Sequence, residues 1–385
     1  MHPSRTLSIG LHVQKESLAV ADVAKEDHAA VVSLGTIGPR QGDLAQLIRK
    51  MPSKSTPRVL VSAAGPCGSW LSRSLTTKGP VCGGVAPSLL PKKPGDGGTT
   101  NRRDAITLAR LLRSGALTPV DVPTVDAAAL RDLYRARDEA IRARKPAQCR
   151  LTALLLRPAI RSTGRATWGP AHRRWRREVV CPTPAQPRVC HASIRAVTAP
   201  TARLARLAHA RPAQGQPWRL APVGDARQAL RGVPCSVAVT TGAARGALPR
   251  FAHPRPRMHA LGCTPSADST GERRRQGGRT TTGHSPARRA LVAAAWASRS
   301  PATGSQPVPR RLEQVAQPSH ESSWKAQLRL GTRDRPLSAR GTNAHQVVVA
   351  LARALSAGMW ASAQEGALTP SRATIDSPAA VFPRC

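Results

Sequence analysis

The stretch LSIGLHVQKESLAVADVA, residues 7–24, determines the fold of the first part of the chain. Apolar and polar residues alternate loosely on either side of Lys15 and Glu16, which predicts two strands joined by a tight turn. The apolar run Val31–Ile37 predicts a third strand. The sequence therefore begins with an antiparallel set of three strands.

Helices and strands alternate after this opening. Some segments place apolar residues at helical spacing, and others are short continuous apolar runs. The predicted helices are 42–51, 70–77 and 102–114, the predicted strands are 58–62 and 81–85, and residues 91–100 form a loop by composition. An alternation of this kind predicts an α/β fold with a mixed sheet.

The next region favours helix. Residues 126–145 have helical spacing, and we expect Pro146 to interrupt the helix because proline lacks the backbone N–H and clashes with the preceding turn. Residues 149–157 resume the helical pattern, Pro158 ends it, and a proline-rich stretch follows at 181–217. We interpret the region as a long, antiparallel, coiled-coil-like helical connector.

A smaller, mainly helical unit is predicted to follow the connector. Its segment Ala229–Val239 has the pattern of a helix–turn–helix piece that approaches a DNA backbone. Residues 263–287 are rich in Ser, Thr, Gly and Arg, which predicts a loop region without a core. Further helices are predicted at 288–296, 323–330 and 344–360, a polar linker at 299–320 and a disordered tail at 364–385.

The composition excludes several classes of protein. No run of about 18 apolar residues occurs, so a membrane-spanning helix is not expected. The N-terminus lacks a secretory signal pattern, and the eight cysteines include no Cys-x-x-Cys pair, which argues against a zinc ribbon and a disulfide framework. Aromatic residues are 3% of the chain, so we expect a core of Ala, Leu and Val with modest stability.

The charge indicates a polyanionic partner. Lys and Arg total 59 against 21 Asp and Glu, which gives a net charge of +38, and +28 of it falls in residues 146–385. Most basic residues are Arg, whose guanidinium binds phosphate bidentately and also reads guanine edges. Binding that releases counterions should be steeply salt-dependent. A GC-rich codon bias would also enrich Arg, but it would leave this electrostatic consequence unchanged.

Nine blocks of sequence add a family resemblance. They are IGLHVQKESLAVA (9–21), AAGPCG (63–68), VAPSLLPKKPGD (85–96), TNRRDAITLARLLRSGALTPVDVP (100–123), ATWGPAHRRW (166–175), WRLAPVGDARQALRGV (218–233), PRFAHPR (249–255), LGCTPSADSTGERRRQGG (261–278) and WKAQLRL (324–330). In this order, within residues 7–360, they resemble the insertion-sequence transposases of the IS110 family.

The resemblance implies a DNA transposase or recombinase in several parts. Residues 5–125 would form a RuvC-like, ribonuclease-H-like domain with an acidic DEDD quartet that holds Mg²⁺ through oxygen ligands. Residues 126–217 would be the helical connector, residues 218–362 a mainly α transposase domain with a nucleophilic serine, and residues 363–385 a tail.

The same resemblance implies partners and a location. The expected partners are the DNA of the element ends and target, a structured guide RNA and further copies of the chain in a homo-oligomer. We expect a cytoplasmic, nucleoid-associated bacterial protein that makes no contact with a membrane.

Three of the four acidic positions of the family are substituted in this chain. His12 takes the place of the first Asp, Ala63 that of the Glu and Asn101 that of the next Asp, so that only Asp104 remains acidic. Asn101 and Asp104 would share one helix face and are the expected metal ligands. Because His12 is a poor ligand for Mg²⁺ and Ala63 offers none, we expect weak or absent Mg²⁺ binding and impaired activity.

The family's serine position is also changed. The turn reads Ser269-Thr270-Gly271, so Thr270 stands at the nucleophile position beside Ser269, and the segment 279–284 lacks the family's Lys. Threonine keeps the hydroxyl but adds a methyl group. The arginines expected to contact nucleic acid are Arg102, Arg103, Arg273, Arg274, Arg275 and Arg279.

Three interpretations stay open at this point. The ordered blocks favour an IS110-type transposase with impaired catalysis. The substitutions also fit a non-catalytic, basic nucleic-acid-binding relic of a transposase, and the prolines of the connector fit a product that folds poorly. Taken without the resemblance, Asp104 would be a helix N-terminal residue favoured by the dipole, and the arginines after Gly271 a solvated basic face.

Overall fold

The computed structural model describes residues 6–24, 30–50, 58–91, 98–162, 164, 168–180, 182–213, 221–243, 251, 253–280, 283–300 and 317–368. These residues form two compact units, divided between Thr124 and Val125. The first unit combines strands with helices, and the second is mainly helical.

A six-stranded mixed sheet forms the first unit. Its strands are β1 Leu7–Val13, β2 Leu18–Ala24, β3 Val32–Ile37, β4 Arg58–Ala63, β5 Val81–Val85 and β6 Pro119–Val120. Their order is β3-β2-β1-β4-β5-β6, in which β1, β4 and β5 run parallel and the other neighbours pair antiparallel. The predicted α/β fold with an antiparallel start is confirmed. Strand β6 is an addition, because two residues are too short for a periodic pattern.

Helices cover both faces of this sheet. They are α1 Gln41–Lys50, α2 Gly68–Thr76 and α3 Asn101–Arg113, which confirms the three helices predicted there. Ile9 and Leu11 of β1 pack on the side of α1 and α2. Val61 and Val85 point to the opposite face, where they pack with Leu108 of α3.

Gly10 of β1 allows α3 to lie close against the sheet. A Cβ at this position would lie 2.6 Å from the backbone nitrogen of Ala109 and would also overlap the carbonyl oxygen of Ala105. Both alanines are buried and present only a methyl group to the strands beneath them. The absence of a side chain at Gly10 therefore sets the distance between β1 and α3.

The two ends of α3 follow ordinary capping rules. Thr100 is the N-cap, and its side-chain oxygen accepts a hydrogen bond from the backbone N–H of Arg103 at 3.3 Å. Gly115 follows the helix with a φ of 67°, a conformation that glycine adopts without a Cβ penalty. These signals place Asn101 and Asp104 in the first turn of the helix.

The second unit begins with two long helices that pack against each other. Its first three helices are α4 Val125–Leu156, α5 Pro170–Glu178 and α6 Gln186–Ala213. Buried Leu151 of α4 contacts Cys190 and Val197 near the start of α6, whereas Glu139 of α4 pairs at 3.9 Å with Arg203 further along it. The two helices therefore run antiparallel, as predicted.

The prediction that Pro146 interrupts the helix is wrong. Helix α4 continues through Pro146 to Leu156. Proline costs about 3 kcal/mol in a helix interior, but the burial of Ala147, Leu151 and Leu155 against α6 offsets that cost. The exposed position of Pro146 leaves its ring clear of the core.

The remaining elements of the second unit are short helices, one hairpin and two longer helices. They are α7 Ala221–Gln228, α8 Cys235–Ala243, α9 Pro254–Ala260, β7 Pro265–Thr270, β8 Arg273–Arg279, α10 Ser285–Ala295, α11 Gln317–Ala339 and α12 Ala344–Leu368. Their core is aliphatic and centres on Leu230, Leu261, Leu291 and Leu351. No helix in the described ranges is both long enough and apolar enough to cross a bilayer.

Three sequence predictions in this unit are corrected. The two helices and the turn predicted within 229–239 span 221–243. Residues 229–234 form the turn between α7 and α8, and Leu230 and Val233 are buried in it. Residues 265–279 form a hairpin and not a loop, since Gly271 has a φ of 58° and supplies a two-residue turn of the kind that favours strand pairing. The tail predicted from residue 364 is wrong for 364–368, because α12 extends to Leu368, and residues 369–385 lie outside the described residues.

The close contact of β1 with α3 yields a stability prediction. Replacing Gly10→Ala should lower the free energy of unfolding by about 1–3 kcal/mol, because the methyl group would displace α3. The matched control is Gly42→Ala in α1, where a Cβ meets nothing within 4 Å and alanine should be neutral or stabilising. Urea denaturation of the full chain measures both, and equal stability of the two variants would contradict the role given to Gly10.

Candidate functional site

The family-predicted acidic positions gather where α3 crosses the end of β1. In β1 the side chains of Ile9 and Leu11 point to α1 and α2, so Gly10 and His12 point to the opposite face, towards α3. His12 is the last but one residue of β1. Because α3 lies close to β1 at Gly10, the imidazole of His12 is level with the first turn of α3.

His12 contacts the one acidic residue that remains. Its Nδ1 lies 3.6 Å from Oδ2 of Asp104, and the two side chains are 21% and 31% exposed. A half-exposed pair of this kind contributes at most about 1 kcal/mol to stability. The contact matters more for its geometry, because it occupies one carboxylate oxygen of Asp104 and holds a nitrogen ring at the place where the family pattern has an oxygen ligand.

Asn101 is engaged by a residue that the sequence analysis did not assign to the site. Gln14 Nε2 donates a hydrogen bond of 2.7 Å to Asn101 Oδ1. The side-chain oxygen of Asn101 that could face a metal therefore already accepts a hydrogen bond from Gln14. Gln14 lies within the block 9–21, two residues after His12, but no sequence pattern pairs it with Asn101, which is 87 residues further along the chain.

Ala63 lies beside His12 on the neighbouring strand. The parallel register pairs Leu11 with Ser62, so the next residue of each strand, His12 and Ala63, stand side by side. Val59 and Val61 of the same strand pack on the α3 face, which puts the methyl group of Ala63 on that face as well. The structure thus places positions 12, 63, 101 and 104 at one edge of the sheet.

The turn after Ala63 keeps its compact form. Gly65 N–H donates to the Ala63 carbonyl at 2.9 Å, and Ala64 N–H donates to the Val85 carbonyl at 2.7 Å. A Cβ on Gly68 would overlap the Ala63 carbonyl oxygen, so glycine is required where α2 begins. The backbone scaffold of the site is intact even though its side chain at position 63 is a methyl group.

The side chains at this edge do not fit a Mg²⁺ ion. Mg²⁺ prefers near-octahedral oxygen ligands, usually with carboxylates, whereas the donors here are one carboxylate, one amide oxygen and an imidazole. Asp104 contacts His12, and Asn101 accepts from Gln14. No group of three or more His, Cys, Asp or Glu side chains among the described residues could hold a metal ion.

Asp22 does not replace the missing carboxylates. It pairs with Ile9 in the β1–β2 register and shares that residue's face, opposite to His12. Burial raises the pKa of Asp22, which disfavours its charged form further.

Two exposed arginines flank the site. Arg102 and Arg103 lie in the first turn of α3, next to Asn101 and Asp104, and both side chains reach solvent. The N-terminus of a helix and two guanidinium groups together favour an anion. This corner of the unit can bind a phosphate although its donors do not suit a metal.

The hydroxyl residues named from the sequence lie in the second unit, on the β7–β8 hairpin. Thr270 is the last residue of β7 and pairs with Arg273, and Ser269 pairs with Arg274. Every residue of both strands is exposed. The hydroxyl of Thr270 therefore stands in solvent at the tip of a basic ribbon.

Comparisons with known proteins agree with the sequence resemblance. Residues 9–158 match a family model described as a transposase, of the DEDD IS110 type, and residues 229–306 match one described as the transposase IS116/IS110/IS902 family. A Sinorhizobium fredii protein that carries the name of a transposase, y4qE, is 37% identical over 367 residues, which is 95% of this chain and 91% of that protein. The transposase for insertion sequence element IS1533 of Leptospira borgpetersenii is 28% identical over 174 residues, 44% of this chain and 50% of that protein.

The contact between His12 and Asp104 predicts how the site responds to a new carboxylate. His12→Asp places two carboxylates close together, so the free energy of unfolding should fall by about 1 kcal/mol without metal, and Mg²⁺ should restore it. The control His12→Asn removes the same imidazole without adding charge. Thermal unfolding with and without MgCl₂ measures the effect. A melting temperature that rises equally with Mg²⁺ in the original chain, in His12→Asn and in His12→Asp would contradict this reading of the site.

Proposed function

This chain belongs to the IS110 family of transposases, and we propose that it binds duplex DNA at the ends of an insertion sequence while its metal-dependent strand cleavage is impaired. The observation that carries the proposal is the pair of contacts His12–Asp104 and Gln14–Asn101 at the position of the family's acidic quartet. The binding part and the cleavage part rest on different residues.

Charge supports the binding part. The net charge is +38, and most of the basic residues behind it are arginines, whose guanidinium groups bind phosphate oxygens in a bidentate way. In the first unit, Arg102 and Arg103 offer two such groups at a helix N-terminus. In the second unit, the exposed hairpin offers Arg273, Arg274, Arg275 and Arg279.

The side chains at the sheet edge support the impaired cleavage. A metal that stabilises charge at a phosphodiester needs several anionic oxygen ligands around it. Only Asp104 supplies one here, and it faces an imidazole nitrogen. We derive no cleavage step through a metal at this site, and we assign Asn101, Asp104 and His12 the role of holding β1 to α3.

The side chain of Thr270 supports the proposal that a nucleophile for a phosphodiester remains in this copy. Its hydroxyl has the same reactive oxygen as serine, and its exposure leaves that oxygen accessible to a phosphodiester. The neighbouring Arg273 is paired with it across the hairpin and can hold a phosphate beside it. We propose Thr270, with Ser269 as its neighbour, as the nucleophile position of this copy.

The proposal extends to further partners. A structured RNA would bind through the same arginine-rich surfaces, because the charge attracts any polyanion. We also propose that several copies of the chain assemble on DNA and that the protein acts at the nucleoid. The alternative function, a non-catalytic nucleic-acid-binding relic, shares the binding surfaces and differs only in having no cleavage.

Rebuilding the acidic quartet tests the cleavage part of the proposal. The triple substitution His12→Asp, Ala63→Glu and Asn101→Asp should give Mg²⁺-dependent nicking of supercoiled DNA that carries the element ends, because four carboxylates would again surround the site. The original chain should nick at least about 100-fold more slowly. The matched control is the double variant His12→Asn with Ala63→Gln, which keeps Asn101 and so places amides at the three positions.

Two results would count against this part. Rapid Mg²⁺-dependent nicking by the unaltered chain would show that the substituted site is competent. Nicking by the rebuilt chain that persists in the additional Asp104→Ala variant would show that the cleavage does not use this edge of the sheet.

The binding part predicts a steep dependence on salt. Affinity for a duplex of about 30 base pairs should fall by about 1,000-fold between about 50 and about 200 mM salt, because the arginines release several counterions from the phosphates. Fluorescence anisotropy with the full chain measures this slope. A slope near zero, or absent binding at the lowest salt, would rule out a phosphate-binding role for these arginines.

A further inference from the structure

The second unit carries a two-stranded ribbon that is exposed on both faces. Strands β7 and β8 pair antiparallel around the turn Gly271–Glu272, and all thirteen strand residues are open to solvent. The helix α8, in contrast, buries Val237, Ala238, Val239, Thr241, Gly242 and Ala243. The hairpin therefore presents a full row of side chains to solvent, whereas most of α8 is buried.

The two faces of the ribbon differ in chemistry. Cross-strand partners share a face and successive residues alternate, so Arg274 and Ser269 lie on one face with Gln276 and Ala267. The other face carries Arg273, Arg275, Thr270 and Asp268. The first face has no acidic residue, whereas the second has Asp268 directly opposite Arg275. A polyanion can approach the first face without meeting a carboxylate within the paired strands.

We propose that this ribbon enters the major groove of B-form duplex DNA with Ser269, Arg274 and Gln276 towards the base edges. The inference deepens the proposed function, because it rests on DNA binding and names the element that contacts the bases. Arg273, Arg275 and Thr270 then lie on the other face, at the mouth of the groove between the two rows of phosphates, so that the arginines extend to the phosphates and the hydroxyl of Thr270 stands beside them.

The dimensions and the residue types support this assignment. The major groove of B-DNA is about 12 Å wide and admits a two-stranded ribbon. Arginine reads guanine O6 and N7, glutamine reads adenine N6 and N7, and serine contacts either kind of base, all in that groove. The major groove of A-form RNA is too narrow and deep for side chains to read. The base-reading face of the ribbon therefore fits the major groove of duplex DNA and not that of duplex RNA, whereas its arginines attract the phosphates of either.

Methylation interference tests the groove directly. Dimethyl sulfate modifies guanine N7 in the major groove and adenine N3 in the minor groove, so a lightly methylated pool of mixed-sequence DNA duplexes probes both. We expect the DNA bound by the full chain to be depleted about fivefold or more in N7-methylguanine and unchanged in N3-methyladenine, because one bidentate arginine contact has at least that selectivity.

Paired variants assign the faces. Arg274→Ala with Gln276→Ala should abolish the N7 depletion and leave the salt slope of binding unchanged, whereas Arg273→Ala with Arg275→Ala should keep the depletion and lower the slope by about 1 or more. Arg329→Ala with Arg333→Ala, two exposed positions of α11, removes the same charge elsewhere and should leave the depletion unchanged.

The outcomes separate this inference from the proposed function. Binding to duplex DNA with no N7 depletion, or with depletion that survives Arg274→Ala and Gln276→Ala, overturns the ribbon assignment and leaves DNA binding intact. Tighter binding to an RNA duplex of the same sequence also overturns it. Absence of binding to any DNA duplex at low salt overturns the proposed function itself.

Discussion

The contact between Gly10 and α3 is the constraint on which the first unit depends. Because Gly10 has no side chain, the backbone of α3 at Ala105 and Ala109 lies directly on β1. That approach puts the first turn of α3 against the carboxyl end of β1, where His12 meets Asp104 and Gln14 meets Asn101. Carboxylates at positions 12, 63 and 101 would stand beside Asp104 here, whereas the side chains present do not suit Mg²⁺.

Under the proposed function, phosphate binding and metal binding therefore depend on different residues. Exposed arginines remain on both units, at Arg102 and Arg103 and along the hairpin. At the edge of the sheet, in contrast, His12 contacts Asp104 and Gln14 donates a hydrogen bond to Asn101, so both oxygen-bearing side chains already have a partner. Each exposed arginine adds separately to the attraction of a polyanion, whereas a Mg²⁺ site needs several oxygen ligands at once.

The elements whose pattern is local and periodic could be predicted from the sequence. The strand pair at residues 7–24 and the helix of Asn101 and Asp104 follow from alternation and helical spacing. The prediction was wrong where tertiary packing determines the local structure. Helix α4 continues through Pro146 because it packs on α6, and Leu230 and Val233 are buried in a turn instead of a helix. The hairpin β7–β8 was not predicted because it has no apolar face, so that the turn glycine, Gly271, is its only sequence signal. For the site, positions 12, 63, 101 and 104 come from the family resemblance and their roles stay predictions, and the contact of Gln14 with Asn101 could be seen only in the fold.

The most direct test of the central claim is where a metal binds in crystals of the full chain. Mn²⁺ scatters anomalously and takes the oxygen sites that Mg²⁺ uses, so an anomalous difference map of a soaked crystal locates it. We expect no peak within coordination distance of Asp104 and Asn101, with His12 still in contact with Asp104. A strong peak coordinated by Asp104 and Asn101, with His12 turned away, would show that a metal binds at this edge of the sheet after all.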